Sequence, residues 1–157
     1  MKPEIIIALL LTLFFFIIPI HFFVMGEGYG YGIQGYTYRY QTTTQGVSLI
    51  PVSYEAEYII NGTITGKTAN SILFWIIGSA LYTIGLLVYL LTFDLGKRRY
   101  YKLSSLFIFC SLISVIISSI LQYGPIFIGP AGVSILIGVP IIFGISWYVY
   151  NLPSENR

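Results

Sequence analysis

His21 and Met25 stand four residues apart in the stretch PIHFFVMGEG. An imidazole and a thioether are ligands for copper and haem iron. At that spacing on a helix the two side chains lie on one side, so they cannot hold opposite faces of one haem. A copper site would need further ligands, supplied by a neighbouring subunit. The plain reading is an interfacial histidine that touches water or lipid headgroups. No resident metal or cofactor is expected.

The other reactive groups are as sparse. His21 is the only histidine, so any Ser-His-Asp arrangement would depend on it. Glu55 and Glu57 form a close carboxylate pair. On a strand they would share a face as a solvated edge rather than an acid–base pair. Cys110 is the single cysteine; inside an apolar run it packs as a small hydrophobe. The stretch GEGYGYG lacks the helix and lysine of a phosphate-binding loop. Asn61-Gly62-Thr63 is an N-glycosylation acceptor. The basic residues of FDLGKRRYYK set topology and touch anionic headgroups, and nucleic acid is not an expected partner. The expectation is a protein that is not an enzyme.

The elements that position these groups follow from composition. The chain is 56% hydrophobic and 9% charged, against about 25% charged in a soluble domain. Its natural solvent is the bilayer. A membrane helix needs about 20 mostly apolar residues, and four windows meet this: Ile5 to Met25, Ile72 to Phe93, Leu103 to Tyr123, and Pro130 to Tyr150. The predicted fold class is an α-helical integral membrane protein, a four-transmembrane-helix bundle with a small antiparallel β-sheet in the first extracellular loop. Its parts are the N-terminus and first span (1–25), an extracellular β-rich loop (26–70), the second span (71–93), a cytoplasmic basic loop (94–102), the third span (103–123), a short outer loop (124–129), the fourth span (130–150) and a cytoplasmic tail (151–157). The first window lacks a small-residue cleavage site and reads as an uncleaved signal anchor. Pro19 should kink its outer end.

Charge placement orients this layout. Lys2, Lys97, Arg98, Arg99, Lys102 and Arg157 fall on one side if there are four spans, with only Arg39 and Lys67 on the other. The positive-inside rule then puts both termini and the basic loop in the cytoplasm, in a cell membrane or a virion envelope. Trp75 is expected at the outer interface, and Tyr89, Tyr101, Trp147, Tyr148 and Tyr150 at the inner one.

The outer loop is tyrosine-rich. In YTYRYQTTT, Tyr36, Tyr38 and Tyr40 alternate with polar residues, a strand signature with one aromatic face. Tyr29, Tyr31 and Ile33 alternate in the other register, so a bulge or bend is expected at Gly35. VSLIPVSY reads as a second strand, with Pro51 placing it at an edge or in a bulge. Asn61-Gly62 is the preferred pair for a two-residue hairpin turn, pairing Ile60 with Thr63 and Tyr58 with Thr65. Three or four strands result, with Tyr36, Tyr38, Tyr40, Tyr54 and Tyr58 as candidate partner-binding residues, because tyrosine suits protein interfaces. Alternatively these rings pack the sheet onto the bilayer surface.

Lipid supplies no hydrophobic force between helices, so small residues mark the seams. The second span carries Ser71, Gly78 and Gly85 at seven-residue spacing, and the third Ser104, Ser111 and Ser118. The fourth carries Ser134-x-x-x-Gly138, a small-xxx-small pair, followed by Pro140 and a bend.

Four spans, cytoplasmic ends and a β-rich first outer loop resemble the claudin-like tetraspan architecture. The resemblance is one of layout. The tryptophan and cysteine motifs of that loop are missing between residues 26 and 70, so no functional residue is carried over. Abundant isoleucine and tyrosine with little alanine is similar to membrane proteins of thermophilic archaea and their viruses. The expected function is an accessory or structural subunit of a larger membrane assembly, of respiratory type or of an envelope. Its partners would be lipid and other membrane subunits or its own copies. Alternatives are a small oligomeric channel or carrier for a neutral solute, built around the serine stripe, and a quinone- or metal-associated redox subunit using His21.

Overall fold

The computed structural model describes residues 3–95 and 98–152. Lys2, Lys97 and Arg157, which carry part of the predicted orientation, and the tail beyond Leu152 lie outside the described residues. In chain order the elements are α1 (Pro3–Phe16), β1 (His21–Met25), β2 (Gly30–Gln34), β3 (Tyr38–Thr43), β4 (Gly46–Pro51), α2 (Val52–Ile60), α3 (Gly66–Leu95), α4 (Arg98–Tyr123), β5 (Ile128–Gly129), β6 (Gly132–Ile135) and α5 (Val139–Tyr150). Among the described residues two helices, α3 and α4, are long and apolar enough to cross a membrane. The antiparallel sheet is present, with six strands in the order β4-β3-β2-β1-β6-β5.

Two predicted spans change character partway. The first window is helical only to Phe16, and its remainder forms β1. Pro19 is the cause: it disfavours helix at Ile18 and has no N–H for the carbonyl of Phe15. Thr37 Oγ1 donates to that carbonyl instead, at 3.2 Å. The helical part has 14 residues, about 21 Å at a rise of about 1.5 Å per residue. The fourth window mirrors it. Residues Gly132–Ile135 form β6, paired with β1, and the helix begins only at Val139.

Ser134 and Gly138 therefore do not form a helix-packing pair. Ser134 lies on β6, and Gly138 precedes α5. The tight approach at Gly138 is real but serves the crossing of two strand–helix joints. A Cβ there would sit 2.9 Å from both Ile20 Cα and the Pro19 carbonyl oxygen. Gly138 N–H donates to the Ile20 carbonyl at 2.7 Å, and Ile20 N–H to that of Gln34 at 2.7 Å. Pro140 falls in the first turn of α5, where its missing N–H costs nothing, so it opens the helix rather than bending it.

The Asn61-Gly62 hairpin does not form. Residues 52–60 are helix α2, with Asn61 as its C-cap and Gly62 just beyond at a φ of 70°. A left-handed glycine ends a helix as readily as it turns a hairpin, and the pair fits both. Pro51 closes edge strand β4 and caps α2.

The helix layer is held by the small residues. Ser71 Oγ donates to the Ser118 carbonyl at 2.8 Å, and Ser118 Oγ returns the bond to Ser71 at 2.7 Å. Ser104 Oγ donates to the Gly85 carbonyl at 2.7 Å. A Cβ at Gly78 would meet the Ser111 carbonyl oxygen at 3.2 Å. Ser105 and Ser146 repeat the reciprocal pattern between α4 and α5, at 2.8 and 3.0 Å. On the other side, Tyr82 and Tyr89 hydroxyls donate to the Leu11 and Glu4 carbonyls of α1 at 3.0 and 3.1 Å.

Gly85→Ala should be costly. The new methyl would lie 2.8 Å from Ile108 Cγ1 and 3.1 Å from the Ile108 backbone nitrogen. An expected loss of about 1–3 kcal/mol follows from overpacking. Gly144→Ala on α5, where nothing lies within 4 Å, should be neutral or stabilising by roughly 0.5–1 kcal/mol. Thermal unfolding of the two purified variants checks the contrast.

Candidate functional site: a polar cleft under the sheet

The β2–β3 connection enters the helix layer. Tyr36 is fully buried, its ring stacked on Tyr82 with centroids 4.0 Å apart, and its hydroxyl 3.0 Å from Ser111 Oγ. The backbone around it is satisfied by side chains. Trp75 Nε1 donates to the Gly35 carbonyl at 2.9 Å, and Ser79 Oγ donates to that of Tyr36. From this plug the strands run along α3 toward its Gly66 end. Tyr36 lies beside Ser79, and Arg39 beside Trp75, four residues nearer that end.

Alternation sorts the sheet into two unlike faces. His21, Phe23, Gln34, Arg39, Gln41 and Ser134 point toward the helices. With Ser71, Ser118, Ser119, Gln122 and Tyr123 of α3 and α4, most of this face encloses a cleft of about 470 Å³. His21 is buried, with Nδ1 2.9 Å from Ser134 Oγ. His21 and Met25 do share a side, but of a strand, and both line the cleft. Among the described residues no three of His, Cys, Asp and Glu gather as a metal-ligand set.

Arg39 is the cleft's organising cation. Its Nη1 contacts Glu55 Oε1 at 2.8 Å, its Nε donates to Gln34 Oε1 at 3.2 Å, and its guanidinium carbon lies 5.3 Å from the Trp75 ring centroid. The Glu55 side chain is only 3% exposed. The predicted pairing of Glu55 with Glu57 on a strand edge is overturned: on helix α2, residues two apart point different ways. Glu55 turns inward to Arg39, while Glu57 stays in solvent. Glu55 balances the charge of Arg39, and Glu27 adds a carboxylate to the cleft lining beside the amides of Gln34, Gln41 and Gln122 and the serine hydroxyls.

The five tyrosines singled out above do not share one face. Tyr36 is the plug. Tyr38 donates to the Ile17 carbonyl at 2.5 Å, and partial burial holds its hydroxyl above the usual tyrosine pKa. Tyr40 is exposed on the sheet's other face, and Tyr54 and Tyr58 are exposed on α2. Asn61 is exposed at the α2 C-cap. Trp75, expected at the bilayer interface, is buried under Arg39. Sequence reasoning missed the Arg39–Glu55 pair and the role of Ser79. The one signal was a lone arginine inside a tyrosine-rich strand.

Comparison with the models of known protein families finds no match, and comparison with curated proteins finds none either.

Proposed function

We propose that the chain is a non-enzymatic, multi-pass membrane protein that serves as an accessory or structural subunit of a larger membrane assembly. Four apolar segments cross the bilayer, with the termini and basic loop in the cytoplasm and residues 26–70 outside. In support, α1, α3, α4 and α5 all expose large apolar side chains, among them Leu9, Leu87, Phe109 and Phe143. Ser71, Ser104, Ser105, Ser118, Ser146, Tyr82 and Tyr89 are bonded within the chain.

The observation that carries the assembly role is the free edge of β4. Among the described residues it has a neighbour on one side only, and the exposed Tyr54 and Tyr58 stand on the helix that follows. An open edge is a template for a further strand, from another subunit or a second copy. Purification in mild detergent with native mass analysis tests this. A stoichiometric complex is expected, and a chain that remains monomeric at every concentration would remove the proposal. Maleimide labelling of Asn61→Cys from outside and Arg99→Cys from inside, in a Cys110→Ser background, tests the orientation.

A second reading, binding of a neutral polar solute, rests on the cleft. It does not extend to a pore around the serine stripe. Ser71, Ser104, Ser111 and Ser118 are buried in the α3–α4 seam of one chain.

A further inference from the structure

The sheet is polar toward its own protein and apolar away from it. Its outward side consists of two rows. Near the helix joints, paired neighbours give Ile135, Phe22, Ile33, Tyr40 and Leu49. Further from them come Val133, Val24, Tyr31, Thr42 and Val47. Neither row contains a charged residue. A water-facing antiparallel sheet shows the opposite pattern, with apolar residues inward and polar ones outward. A contiguous apolar face of this kind marks a contact surface.

We infer that this face rests against outer-leaflet lipid, with the near row against acyl chains and the far row at headgroup level, the backbone of the β4 edge being paired there by the further strand proposed above. Three observations favour lipid over a protein partner. First, the face continues without a polar rim into the exposed apolar surfaces of α1 and α5. Tyr38, on the same side, is bonded to the Ile17 carbonyl at the end of α1. Ile17 beyond α1 and Ile137 just before α5 are exposed at the two joints. Protein interfaces carry polar rims. Second, the lengths agree. The 14 residues of α1 fall short of a hydrocarbon core of about 30 Å. The 5 residues of β1 add about 16 Å at about 3.3 Å each. The 4 residues of β6 add about 13 Å to the 12 of α5. Third, the strands begin within the length of α3, at the Tyr36 plug, so their near ends lie beside a helix that spans. Tyr31, in the far row, then sits where amphipathic rings favour the interface.

This rests on the membrane reading above, and the test separates the two. Single cysteines are placed at Leu49, Ile135 or Val47 in a Cys110→Ser background, spin-labelled, and reconstituted in phosphatidylcholine–phosphatidylglycerol vesicles. Collision with oxygen, which concentrates in lipid, is compared with collision with a water-soluble nickel chelate. Leu87→Cys on α3 is the lipid standard and Glu57→Cys on α2 the water standard. Labels at Leu49 and Ile135 should match Leu87, with Val47 shifted toward Glu57. A Leu49 and Ile135 profile like that of Glu57, with Leu87 in lipid, would overturn the inference alone. So would protection from both reagents, which means a protein covers the face. A water-like profile at Leu87 would overturn the membrane reading and this inference together.

Discussion

Replacing Tyr36 with alanine is expected to cost about 3–5 kcal/mol, the usual loss when a buried aromatic is deleted from a core. The ring fills the junction of α3, α4 and the β2–β3 connection, against Tyr82 and beside Ser111. Tyr36→Phe separates packing from hydrogen bonding. Ser111 Oγ also donates to the Ile108 carbonyl at 2.7 Å, so losing the phenol leaves it satisfied. That variant should lose only about 0.5–1.5 kcal/mol. Unfolding of both in one detergent checks the ratio. Equal, small losses would mean the loop is not anchored by this ring.

Arg39→Met is the second large effect. It strands the Glu55 carboxylate, whose side chain is 3% exposed. An uncompensated buried charge costs about 3–5 kcal/mol. Arg39→Met with Glu55→Gln should recover much of this, because the charge is removed and an amide leaves far less to desolvate. A double-mutant cycle on unfolding free energies reads the coupling. Additive losses would show that the two charges do not depend on each other.

The helical core was largely legible in the sequence. Its signal, long apolar runs with small residues every seventh position, is one-dimensional and local. The sheet strands 30–34, 38–43 and 46–51 also announce themselves by alternation. What misled was hydropathy, which measures transfer to lipid and not backbone conformation. IHFFVM and GVSILIGV are apolar enough to pass as helix. Yet Pro19, Pro140 and the β-branched alternation Val133, Ile135, Ile137, Val139 mark where helix cannot or need not continue. The Asn61-Gly62 pair suited two local structures, and the one that forms brings Glu55 into contact with Arg39. That contact joins β3 to α2, and no window of sequence contains it. The cleft was illegible for the same reason. It is walled by residues from β1, β2, β3, α3 and α4 that meet only once the sheet is folded.

The pairing of β1 with β6 has a consequence for the order of assembly. His21 and Ser134 touch across 113 residues of chain, so closing this contact carries a large loop entropy. Strands β1 to β4 form a meander that can zip locally, each hairpin needing only a short loop. The centre of the sheet stays unfinished until residues Gly132–Ile135 have left the ribosome. Through that interval β1 presents a bare edge, and the growing chain is most exposed to wrong pairing with its neighbours.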